Sequence, residues 1–552
     1  MSRNAHVSWL LVALAMLAAP SQLSCSRSSS GDDDANSPVP LDVAKLVPPD
    51  AFLFMHVPSV SALESKVRAL ASIADPRIGP MIELSGFFTR GYAIDPSFLD
   101  RDKPVGFALS LPSKKGPPLA TAVVPVKNPD LVLTSVKGRT GSYKAVRLGS
   151  YIGFSEAPGY ASGTSRQGLT SGVAPADATI RVDLKKLFAF YQPEIEKGLA
   201  RAERDDPTTA QMVQLLDGLR SFVRSADSMD VLLNVAGKRV DVSFTYKRSQ
   251  VSETSAAKSG DLATLASFLP ADHPIVFLAA GNPAELIKTA GAWYENAKTP
   301  RPGRAAHPLA AYVQKLEEIQ GLGGEATAAS IKISKRGLEV LQIVRAKDAA
   351  SLPAKMRSLA SDPVFASAGL MSTDAKESTV AGVTVFEHRL KVDVAKLAAS
   401  MGTSGASPEA VARAEQAMKE LFGAGGFRLR YAAVGGYFVT MLGGDDALAS
   451  DTLSAVKKGK GEIPTRLRST FASDATSPTF LVDVELRSLA QDIVVLLGDA
   501  TFFRKFGVRT PVVPKGAPVS FTVSSRSEGA VTKGGVSLDV GAAADMLRAL
   551  KR

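Results

Sequence analysis

The chain has 552 residues, 45% of them hydrophobic and 22% charged, with a formal net charge of +11 at pH 7. These are the values of a globular protein and exclude an intrinsically disordered chain. One cysteine allows neither an internal disulfide nor a thiolate metal site, so a hydrophobic core does the stabilising.

At the N-terminus, Arg3 is followed by Val7–Ala19, apolar apart from Ser8. A helix of that length spans about 20 Å and falls short of the roughly 20 residues a bilayer core requires. Residues 1–24 therefore read as a signal peptide. Next comes Leu23-Ser24-Cys25, which resembles the lipobox of bacterial lipoproteins. In that family a diacylglyceryl group is placed on the Cys thiol, and a peptidase then cuts just before it. The resemblance implies lipidation at Cys25 and makes the membrane a partner through that lipid. Gln22 departs from the family's preference for an apolar residue three positions before the Cys. The alternative is ordinary secretion, with cleavage near Ala18 or Ala19 and a bare thiol at Cys25. Ser26, being other than Asp, implies by the same resemblance an outer-membrane address in the cell envelope. Residues 25–40 contain a serine run, Asp32–Asp34, Pro38 and Pro40. They bury no apolar face and read as a flexible tether.

From Leu46 the pattern changes. Leu46-Val47-Pro48-Pro49-Asp50 introduces the apolar run 51–57. Ser61 and Glu64 stand at capping-box spacing, and Val60, Leu63, Val67 and Leu70 share one helical face. A second opening starts at Leu269-Pro270-Ala271-Asp272, with a strand at 275–278 and a helix capped by Asn282 with Pro283 in its first turn. Four segments put an Asp after an apolar strand, where it can cap a following helix: Asp183, Asp393, Asp483 and Asp539. Hairpins are expected at 229–246, 327–345, 428–442 and 518–539, around short connections that contain glycine. Helices are expected near 348–360, 445–458 and 541–551.

The reading is an α+β fold: two related halves, 41–250 and 262–552, built from repeated strand–helix and ββα units. Each half has antiparallel sheets with helices on one face. The Ser-rich stretch 249–260 joins them. The Leu-x-Pro-x-Asp opening behind a signal sequence resembles a family of uncharacterised exported bacterial proteins, a domain of unknown function. That resemblance implies no catalytic residues.

Chemistry is sparse. His56, His273, His307 and His388 show no i, i+4 pairing and read as packed imidazoles. No Gly-x-Ser-x-Gly elbow or phosphate loop occurs, and Gly321–Gly324 suits a turn. Glu203, Asp205, Asp206, Asp445 and Asp446 read as helix caps or solvated charge. Phe87-Phe88 and Phe502-Phe503 read as core, and Trp293 is too isolated for a stacking platform. Lys457-Lys458-Gly459-Lys460 reads as a solvated loop. The expected function is a lipid-anchored envelope component with a binding or structural role. It is not an enzyme: no catalytic residue, no metal and no cofactor are assigned. Its partner would be an envelope protein or an anionic glycan or lipid, with no nucleic acid. Two alternatives stand beside this: a ligand- or lipid-binding lipoprotein with a site between the halves, and an envelope hydrolase in which one of the histidines meets both a Ser and an acid in a pocket.

Overall fold

The computed structural model describes residues 43–86, 94–112, 117–137, 143–158, 176–205, 226–248, 259–280, 326–334, 337–360, 370–372, 376–396, 426–472, 478–499, 515–528 and 531–550, together with a few single residues. Cys25, Phe87-Phe88, Asp206, the expected helix after Asn282, Trp293, His307, Gly321–Gly324 and Phe502-Phe503 lie outside them. Among the described residues no helix is long and apolar enough to cross a membrane.

The chain divides into two compact units. Unit 1 takes Met1–Arg201, Leu219–Ser252 and Ser527–Arg548. Its strands are β1 (Ala51–Val57), β2 (Val105–Ser110), β3 (Leu119–Pro125), β4 (Lys144–Leu148), β5 (Tyr151–Ser155), β6 (Ala178–Asp183), β7 (Ala226–Ala236) and β8 (Arg239–Arg248). The ladders give the order β4-β5-β3-β2-β1-β6-β7-β8, antiparallel throughout. Helices α1 (Val60–Ala74) and α2 (Pro129–Val136) bury Val60, Leu63, Val132 and Val136 in one cluster with Val124, Ile152 and Phe154. A longer helix, α3 (Leu184–Asp205), follows β6.

Unit 2 takes Ala202–Gly218, Glu253–Arg526 and Ala549–Arg552. It begins with α4 (Ser259–Ser267) and β9 (Ile275–Ala280), then the hairpin β10 (Ala326–Ser334) and β11 (Gly337–Arg345), and α5 (Leu352–Ala360). Next come β12 (Leu370–Ser372), β13 (Lys376–Val380), β14 (Val383–Val392), β15 (Phe427–Val434) and β16 (Tyr437–Leu442). Last are α6 (Asp446–Lys458), β17 (Phe480–Glu485), α7 (Leu486–Asp499) and β18 (Ser520–Glu528). The ladder order is β14-β15-β16-β11-β10-β9-β17-β18, with β12 and β13 both on β14. From β15 to β18 this series takes its strands in the same relative order as β4 to β7 in unit 1. Helices α4 and α6 pack Leu262, Leu265, Leu453 and Val456 on Val276, Leu278, Leu341, Ile343 and Val439.

The expectation of an α+β fold with two related halves is overturned. Among the described residues, all nineteen strands belong to one antiparallel sheet. The last of them, β19 (Val531–Asp539), pairs along its whole length with β8, and α8 (Val540–Leu550) follows it. A strand edge presents unmet N–H and C=O groups, and continuing the ladder satisfies them. Local strand–helix patterns carry no information about where a ladder stops.

Several local expectations also shift. The α1 cap is Ser59, whose Oγ accepts from Ala62 N at 3.1 Å, whereas Ser61 bonds Asp102. Glu64 is buried instead of capping: it accepts from Leu84 N at 2.9 Å and pairs with Arg68 and Arg101. Asp183, Asp393 and Asp539 do cap, accepting from the N–H three residues on at 2.8, 3.0 and 2.8 Å. Asp483 does not, because β17 runs two residues past it. Lys457 and Lys458 form the last turn of α6, and Gly459 closes it at φ 60°. Positive charge there complements the helix dipole.

Candidate functional site

Unit 2 holds a cleft of about 710 Å³, within the range of about 300–1,000 Å³ usual for small-molecule sites. The turn that follows α4 forms one wall. There Phe268 and Leu269 N–H groups donate to the carbonyls of Leu265 and Ala266, and Pro270 prevents the helix from continuing. Opposite stand the ends of β10 and β11 and the side of α6 that carries Leu448, Asp451, Thr452 and Ala455. The segment after α6 closes the rim so tightly that a Cβ on Gly461 would lie 2.0 Å from the Ser267 carbonyl oxygen.

His273 sits in the wall of this cleft and is 1% exposed. Its Nδ1 is 2.9 Å from Oγ of Ser330, and its Nε2 is 3.9 Å from Oε2 of Glu339. The other carboxylate oxygen of Glu339 accepts from Ser334 Oγ at 2.9 Å. Beside them Lys332 is ion-paired with Asp272. Beneath, Arg466 donates to Oδ2 of Asp483 at 2.6 Å and to the carbonyls of Ala271 and His273. Thr522 donates to the remaining Asp483 oxygen at 2.9 Å.

Burial pushes the His273 imidazole down to about 4, and Lys332 and Arg466 push the same way against Asp272. The ring is therefore neutral at pH 7. Burial raises the Asp272 carboxyl, but the hydrogen bond and charge of Lys332 outweigh it and hold it below the ordinary range. Burial also raises Asp483, which Arg466 only partly offsets. In α7, Asp492 is raised by burial against the pull of the Ile333 N–H it accepts from at 3.2 Å.

A serine, a histidine and an acid thus approach one another, as the hydrolase alternative requires. Yet Ser330 is 0% exposed and does not line the cleft. A hydroxyl without access to a substrate carbonyl is no nucleophile. Ser330 anchors the ring through Nδ1. The described residues contain no group of three or more His, Cys, Asp or Glu placed to hold a metal ion.

The other histidines separate from this site. His388 is buried, with Nδ1 3.0 Å from Ser372 Oγ and Nε2 2.8 Å from the Tyr431 hydroxyl. His56 lies in β1 against Gly106 and Thr179 and stacks on Phe54. Asp445 caps α6, accepting from Leu448 N at 2.9 Å, and also lines the cleft. Asp446 pairs with Arg428 and Arg430, while Asp205 closes α3.

Ser330, Lys332 and Glu339 were not singled out by spacing. Their signal is a polar residue at every second position near the end of β10, at 330, 332 and 334, with Glu339 directly opposite Lys332 in the ladder. Comparison with protein-family models, with curated proteins and with solved structures gives no match.

Proposed function

We propose that this chain is a lipid-anchored envelope protein that binds a small ligand, or one side chain of a partner, in the unit 2 cleft without chemical turnover. The observation that carries the reading is the cleft itself: a ligand-sized space whose buried imidazole is oriented by a serine that no substrate reaches. Anchored strands and a hydrogen-bonded turn supply a preorganised wall, and preorganisation lowers the cost of binding. The anchor rests on Cys25 and the residues before it.

Two measurements test the two parts separately. For the anchor, the wild-type chain and Cys25→Ala are fractionated and labelled with a radioactive fatty acid. The wild type is expected with membranes and labelled, the variant soluble and unlabelled; equal labelling refutes the anchor. For the cleft, a thermal-shift screen compares wild type with Ala455→Trp, which fills the space. A ligand at 100 times its Kd stabilises by about 2.7 kcal/mol. Compounds that stabilise both proteins equally would place binding elsewhere.

A further inference from the structure

Two of the five large apolar side chains exposed among the described residues share one turn: Ile78 at 47% and Met81 at 80%. Pro76 and Pro80 beside them are exposed as well. The other three, Leu131, Met371 and Ile493, lie singly on α2, β12 and α7. Single exposed side chains need no explanation, whereas an apolar cluster with a polar rim marks a contact site.

The turn is firmly built. Gly79–Met81 forms a short 3-10 helix soon after α1. The Ile78 and Met81 N–H groups donate to the carbonyls of Asp75 and Ile78, each at 2.9 Å. Arg68 Nε donates to the Ile82 carbonyl at 2.8 Å, and the buried Glu64 accepts from Leu84 N at 2.9 Å. Gly79 seats so closely on α1 that a Cβ there would lie 2.9 Å from the Arg68 carbonyl oxygen. The charges around the tip are engaged: Arg77 with Asp75, Arg68 with Glu64, and Glu83 with the Ser85 hydroxyl.

Area argues against a protein partner. A stable interface buries about 800 Å² on each side, far more than two side chains and two prolines supply. A bilayer takes protruding side chains singly, and the gain scales with the apolar area inserted. Val43 stands eighteen residues after Cys25, and a coil of that length spans about 25 Å. An anchor at Cys25 would keep unit 1 close to the bilayer, where a weak contact suffices. Resting on the reading of Cys25 as a lipid anchor, we propose that the turn at 76–81 is a second membrane contact, inserting Ile78 and Met81 at the boundary between headgroups and acyl chains.

The mature chain, residues 25–552 with Cys25→Ala and Met81→Cys, has a single thiol for a polarity-sensitive dye. Vesicles of phosphatidylethanolamine with phosphatidylglycerol are titrated in. The emission is expected to move to the blue saturably, and lipids brominated on their acyl chains to quench it. Adding Ile78→Asp should weaken the response by about tenfold or more. Emission that stays as in buffer, or an unaltered response in a folded Ile78→Asp protein, overturns the proposal. This chain carries no lipid, so the result is independent of Cys25 acylation, which the fatty-acid labelling decides on its own.

Discussion

Nε of Arg466 stands 2.6 Å from Oδ2 of Asp483, a carboxylate only 1% exposed. The same guanidinium ties down the carbonyls of Ala271 and His273, so the ion pair holds the turn that forms the cleft wall. Removing one member of a buried pair leaves the other charge uncompensated. Arg466→Ala should cost about 3–5 kcal/mol in urea unfolding. Pairing it with Asp483→Leu should cost less than the two single changes added together; strict additivity would show the pair to be uncoupled.

Stability should fall as pH drops from 6.5 toward 4. His273 is held neutral in the fold, with its protonation pushed to about 4. The unfolded chain takes up a proton near pH 6.5 and is favoured by it, so stability present above that value is lost as pH falls. Asp272, Lys332, Glu339 and Arg466 surround the ring, and the Lys332 ammonium, which burial lowers but Asp272 holds above its ordinary value, stays charged throughout this window. The loss reaches about 3 kcal/mol at its limit. His273→Asn, which keeps a donor toward Ser330, should flatten the slope between pH 7 and 5. An unchanged slope would assign it to other groups.

Glu485 caps α7 in place of the Asp expected there. It accepts from Ser488 N at 2.7 Å, Val519 N at 2.7 Å and Arg487 N at 3.1 Å. Burial raises its carboxyl, but these N–H groups outweigh that and hold it below the ordinary range. Its contribution is therefore complete above about pH 4.3 and lost as pH falls through the lower folded value. Glu485→Ala should cost about 1–3 kcal/mol at pH 7 and little at pH 2, as measured by unfolding at both.

Burial pushes the Tyr431 hydroxyl up to about 12. It should give no phenolate absorbance below pH 11 in the folded protein. Tyr431→Phe removes the 2.8 Å bond to His388 Nε2 and should destabilise by about 1–3 kcal/mol. A neutral effect would show that the imidazole finds another partner.

The hairpins were legible because glycine marks their turns: Gly435 and Gly436 sit at φ 57° and 84°, where other residues are strained. The inward face of α1 was legible because its period is local, with Val60, Leu63 and Leu70 all buried. The β2–β5 strands and α2 were missed, although Gly149 at φ 65° marks the β4–β5 turn and Asn128 with Pro129 opens α2. Asp483 was misread because nothing in five residues tells a strand that ends from one that runs two residues further. The cleft was not legible at all. It depends on β10 meeting β9 as well as its hairpin partner β11, and sequence spacing does not encode pairing between strands far apart in the chain.

The strand at 531–539 covers an edge laid down far earlier in the sequence. Because β19 lies along the full length of β8, an N-terminal fragment ending at residue 250 would leave β8 bonded on one side only. Such a fragment would expose a ready template for another chain, so it should aggregate where the intact protein does not. During synthesis the same bare edge persists until residues 531–539 have emerged. The molecule therefore needs shielding for longer than its early strands alone would suggest.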